Sequence, residues 1–98
     1  MMHSAFTLAQ YIAMHRATVV SDALAALAYA DMKTLAPLAH RLAGTLASFS
    51  LQEPAVRARD LEQAARTEAD ETAQSEALEA LRGSLEALQR SLEAEDGR

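Results

Sequence analysis

Leu78, Leu81, Leu85, Leu88 and Leu92 recur at spacings of 3, 4, 3 and 4. Those spacings put all five on one side of an α-helix, as a single apolar seam. A seam of that length has to be covered, either by other helices of the same domain or by a second copy in a coiled coil. The covering within the domain is the expected one, and Gly83 weakens the helix midway. Composition points the same way. Half of the 98 residues are apolar, Ala foremost, with only three Gly and two Pro. These are helix formers with few breakers, and no window of β-branched alternation is long enough for a sheet. With two Tyr, two Phe and no Trp, the core is expected to be thin and closed by close helix approach.

Length and charge exclude several classes. Ninety-eight residues make one domain, 1–98. A net charge of −5 argues against nucleic acid, which favours a basic face. The absence of Cys removes disulfides and thiolate zinc sites. No apolar run approaches the roughly 20 residues of a membrane span, and the N-terminus lacks a secretory pattern. A soluble, cytoplasmic chain that meets no membrane is expected. There is no glycine-rich phosphate loop, so an autonomous nucleotide-driven kinase is not expected.

Four helices are expected, at about 7–29, 32–50, 51–68 and 73–94, packed as an antiparallel up-down-up-down bundle. Thr7-Leu8-Ala9-Gln10 reads as a capping box, with Phe6 and Tyr11 as a hydrophobic staple. Ile12, Val19, Ala23 and Leu27 make the apolar stripe of the first helix, although Ser21-Asp22 offers a start signal that could break it there. Asp31 or Thr34 can cap the second helix. Pro37 favours the later start, because proline is tolerated in a first turn and disruptive deeper in. Ser50-Leu51-Gln52-Glu53 reads as a second capping box, with Pro54 in the turn it opens. The polar stretch from Thr67 to Ser75 reads as the last turn.

The most informative segment is the second helix. At 100° per residue, Leu35, Leu38, Leu42, Leu46 and Phe49 cluster as a core stripe, and His40 lies about 160° from Leu42. His40 therefore points outward. Ala36, Ala43, Gly44 and Ala47 surround it at positions −4, +3, +4 and +7. A solvated face ordinarily carries Glu, Lys, Arg and Gln, whereas this one is nearly bare. Gly in mid-helix costs about 1 kcal/mol relative to Ala, and close approach of a partner backbone would account for it. His40 with a docking surface of Ala36, Ala43, Gly44 and Ala47 is what a macromolecule needs to reach a ring nitrogen.

The run Leu38-Ala39-His40-Arg41-Leu42-Ala43-Gly44 resembles the phosphohistidine motif of histidine phosphotransfer domains, usually A-H-x-L-K-G. The likeness extends over about residues 23–66. Ala23 to Asp31 resembles the family's alanine-rich upstream helix ending at Asp. Ser48-Phe49-Ser50-Leu51 resembles its turn between core helices, where the Ser50 position is usually Gly. Leu61-Glu62 resembles its Leu-Glu on the next helix. One departure stands out: the family's usual Lys, three residues after the histidine, is Ala43 here. The departure has three readings: another cation takes that role, transfer is slower or differently selective, or the chain binds receivers without carrying phosphate.

The resemblance implies that His40 is the phosphoacceptor, taking a phosphoryl group from a receiver-domain aspartyl phosphate and passing it to another receiver aspartate. It implies a bundle fold, and as partners a response-regulator receiver domain or a hybrid sensor histidine kinase. It implies no cofactor on this chain, with Mg²⁺ expected on the receiver only. Arg59, Glu62 and Arg66 share one face of the third helix. By the resemblance, Glu62 would accept from His40 Nδ1–H and leave Nε2 free. Arg66 is then the first candidate to offset the phosphate charge, and Arg41 is poorly placed, about 100° round its helix. An ordinary surface triad of charges is the plainer alternative for the third helix. His3 and His15 are read as incidental, since no metal-ligand set can be assembled around them. A monomer is expected. The rival function is a non-catalytic helical interaction domain that dimerises through the Leu78–Leu92 seam.

Overall fold

The computed structural model describes residues 7–31, 33–67 and 70–96. Four α-helices follow one another: α1 Leu8–Ala28, α2 Leu35–Ser48, α3 Gln52–Arg66 and α4 Glu71–Asp96. Successive helices are neighbours and α4 closes on α1, which gives a four-helix bundle with no strand among the described residues. The pair α2–α3 packs most extensively and α1–α2 least.

Each helix boundary has a local chemical cause. Thr7 Oγ1 accepts from Gln10 N at 3.1 Å, and Gln10 Oε1 accepts from Thr7 N at 2.9 Å, the expected capping box. Phe6, the other half of the expected staple, lies outside the described residues. Tyr11 instead packs against the ring of His15 in a tilted pair, with ring centroids 4.2 Å apart, and stacks on Phe49 at 6.3 Å. α1 runs unbroken through Ser21-Asp22, because neither residue removes a backbone donor or clashes with the preceding turn. Asp31 Oδ1 accepts from Thr34 N at 3.0 Å and Thr34 Oγ1 at 3.1 Å. That turn delays α2 to Leu35, so Pro37 sits in the first turn, where it costs little.

The turn between α2 and α3 corrects the second capping box. Ser50 caps nothing; it has φ 62°, in the left-handed region. Leu51 N donates to Leu46 O at 2.9 Å and Ser50 N to Ala47 O at 3.0 Å. These two bonds form a Schellman motif, which ends a helix and favours Gly at the residue Ser50 occupies. The residues at the two positions whose apolar contact accompanies the motif, Leu46 and Leu51, are both buried in the core. Asp70 supplies the remaining start signal. Its Oδ1 accepts from Ala73 N at 2.8 Å, and α4 therefore begins two residues before the expected position.

The core runs through the centre of the bundle. Val20, Leu46, Leu61, Leu81 and Leu85 are wholly shielded from solvent. Each such side chain stabilises the fold by about 1.5–3 kcal/mol relative to exposure. Leu78, Leu88 and Leu92 pack against this core. The leucine seam of α4 thus faces into its own domain. Between α2 and α3 the filling is smaller, with Ala39, Ala43, Ala55 and Ala58 all buried, which lets these two helices approach closely. No helix among the described residues is long and apolar enough to cross a membrane.

Candidate functional site

The Schellman turn folds α3 back along α2 and sets their register. Beyond the turn, Ala47 and Ala55 line one shallow concavity, and farther along His40 meets Glu62. Residues of the two helices therefore face each other where their numbers sum to about 102. His40 stands midway along α2 with its side chain 69% exposed, while Glu62 on α3 retains only 17%. Nδ1 of His40 lies 3.0 Å from Oε2 of Glu62. A carboxylate only accepts, so the bond requires the proton on Nδ1, and in the neutral imidazole it leaves the lone pair on Nε2. The same Oε2 accepts from Arg66 Nε at 2.7 Å, an i,i+4 pair on α3.

These contacts act on Glu62 in opposite directions. Partial burial pushes its carboxyl up. The hydrogen bond from Arg66, the charges of His40 and Arg66, and the hydrogen bond from His40 outweigh that and hold it below its ordinary value of 4.5. Glu62 is consequently ionised near neutral pH and available as the acceptor for Nδ1–H.

The other expected site residues separate. Arg59 is exposed and lines the shallow concavity with Ala47, Gln52, Ala55 and Val56. It makes no ion pair or hydrogen bond among the described residues. Arg41 is not brought to this cluster. The turn of about 100° from His40 carries it to the opposite flank, where it borders a groove with Val19, Asp22, Ala23 and Leu38. Within the small-residue surface, Gly44 and Ala47 are exposed and Ala36 is half-buried. Ala43 is a correction: it is 5% exposed and belongs to the α2–α3 contact. The buried arc of α2 is wider than its leucine stripe, because the alanines of α3 let that helix close over this side. A Cβ built at Gly44 would meet nothing within 4 Å, so packing within the domain does not require glycine there. Among the described residues no group of three or more His, Cys, Asp and Glu is arranged to hold a metal ion.

The arrangement can hold one imidazole in a chosen tautomer and present its free nitrogen to a large partner. The family model described as Hpt domain matches residues 8–91, nearly the whole described bundle. No curated protein and no solved structure is significantly similar to the chain. Hpt domains perform histidine phosphotransfer in two-component phosphorelays, working with receiver domains and kinases. With a matching all-helical bundle and a family model that spans most of its length, the chain belongs to the Hpt domain family.

Proposed function

We propose that this protein is a phosphorelay intermediate in which His40 accepts a phosphoryl group from a receiver-domain aspartyl phosphate and passes it to a second receiver aspartate. The observation that carries this reading is the bond from His40 Nδ1 to Glu62 at 3.0 Å, made by a ring whose side chain is 69% exposed. The Nε2 lone pair attacks phosphorus, the acyl P–O bond breaks, and the aspartate leaves as carboxylate with the electron pair. The new N–P bond leaves the ring cationic, with its Nδ1 proton still held by Glu62, a negative partner in place before the charge develops. Onward transfer is the reverse sequence on a different aspartate. Such transfer relies on positioning and charge neutralisation, and the Mg²⁺ it uses is expected on the receiver. Glu62 serves as a positioning residue. The exposed, small-residue surface at Gly44 and Ala47 is where a receiver would lie against α2.

Incubation with a phosphorylated receiver tests this. The expected result is an acid-labile, base-stable label on the wild-type protein and its loss in His40→Gln. Wild-type protein that forms a complex with the receiver but takes no label would instead identify a binding-only member of the family.

A further inference from the structure

The phosphohistidine just described concentrates negative charge at one place. The phosphoryl group carries about two negative charges, Glu62 adds another beside the ring, and the whole chain is at −5. A cation on this face is needed to offset them. The two arginines that flank Glu62 along α3 are not equivalent. Arg66 has its Nε on Glu62 Oε2 at 2.7 Å, the oxygen that also holds His40 Nδ1. Its charge is engaged on the carboxylate that holds Nδ1. Arg59 has no such engagement. It is exposed and pairs with no described residue.

Register places Arg59 well. On an antiparallel pair facing where numbers sum to about 102, Arg59 falls at the level of Ala43, one turn beyond His40, and it shares its concavity with Ala47 and Ala55. Arg59 lies about 4.5 Å along the helix axis from Glu62 and about 60° round it, turned in the same sense as Arg66. Its neighbours across the groove are small. Ala43 is buried, and Gly44 leaves open space around its own Cβ position, so the groove that the guanidinium would cross toward His40 is lined by small residues at this level. We infer that Arg59, not Arg66, is the cation that meets the phosphoryl group on His40, supplied from α3 across the groove because α2 carries none at that level. This rests on the phosphotransfer reading above.

A small anionic donor, phosphoramidate, isolates the effect from receiver docking. Its P–N bond breaks as the Nε2–P bond forms, and ammonia departs. Initial labelling rates of the full chain are measured for wild type, Arg59→Gln, Arg59→Lys, Arg66→Gln and the double variant Arg59→Gln/Gly44→Lys. Circular dichroism confirms that each is folded. Arg59→Gln is expected to label about tenfold more slowly, with a defect that shrinks in high salt, and Arg66→Gln is expected to lose less. Arg59→Lys should stay within about threefold of wild type. The double variant should recover to a similar level, because Gly44→Lys restores a cation from the facing helix. A wild-type rate in Arg59→Gln overturns the inference while leaving the phosphotransfer reading standing. So does a defect that neither lysine variant restores, since that would mark a structural role. Failure of wild type to label by either phosphoramidate or a phosphorylated receiver removes the phosphotransfer reading and this one together.

Discussion

Nδ1 of His40 and Oε2 of Glu62 lie 3.0 Å apart although 22 positions separate them in the chain. The bond engages Nδ1 and leaves Nε2 without a partner among the described residues, on a ring whose side chain is largely exposed. Because the same carboxylate oxygen also binds Arg66, the orientation of the imidazole depends on an ion pair built within α3.

That dependence has a pH signature. The Glu62 carboxyl lies below its ordinary value of 4.5 in the folded protein. A depressed carboxyl stabilises the fold fully above its unfolded value, and the contribution is lost as pH falls through the folded value. We predict that wild type exceeds Glu62→Gln in thermal stability above about pH 5, and that the gap closes progressively below pH 4.5. Melting curves from pH 3 to 7 measure it, and a gap that grows on acidification would contradict the pairing. In ring-nitrogen NMR spectra, Glu62→Ala should raise the population of the Nε2–H tautomer of His40.

Gly44 separates stability from recognition. Nothing in the domain meets a Cβ there, so Gly44→Ala should raise stability by about 0.5–1 kcal/mol, the helix-propensity difference. Labelling by phosphoramidate should be unchanged within about twofold, whereas transfer from a phosphorylated receiver should slow if that partner's backbone packs against the glycine. Equal rates with both donors would show that close approach does not occur at this turn.

At Ser50 the expected gain comes from backbone strain. A non-glycine residue in the left-handed region costs about 1–2 kcal/mol. Part of this returns in Ser50→Gly, offset by the larger unfolded-state entropy of glycine. The variant should gain about 0.5–1 kcal/mol in denaturant unfolding, with His40 chemistry unaffected.

The leucine seam gives the largest expected loss. Leu85 is fully buried, and Leu85→Ala should cost about 2–5 kcal/mol, enough to unfold a large fraction of a marginally stable domain. Leu92→Ala, at a partly buried position, should cost less. Sedimentation of Leu92→Ala should show the oligomeric state of wild type, because the seam faces inward. A change of state in that variant would restore the dimer role for this helix.

Much of the fold was legible in the chain because helices are local objects. The leucine spacing, the Thr7–Gln10 box and the position of Pro37 each mark an element within a few residues of where it lies. Ser50 misled for a local reason too. Serine caps helices readily, and only the backbone shows that it occupies the left-handed position after α2 rather than the start of α3. Asp70 was hidden in a polar stretch whose capping bond becomes visible once Ala73 is helical.

The sequence by itself determined the helical class, the outward aim of His40 opposite the leucines, and the small residues around it, because all three follow from a period of 3.6 residues within one helix. What only the tertiary structure decided is which residues of α3 reach that histidine. The Schellman turn at Ser50 sets the register that puts Glu62 on Nδ1, buries Ala43 against α3, and leaves Arg59 free where Arg66 is engaged. Periodicity fixes the direction a side chain takes from its own axis. The distance between two axes, and the level at which they meet, depend on the turn and on the alanines packed between them.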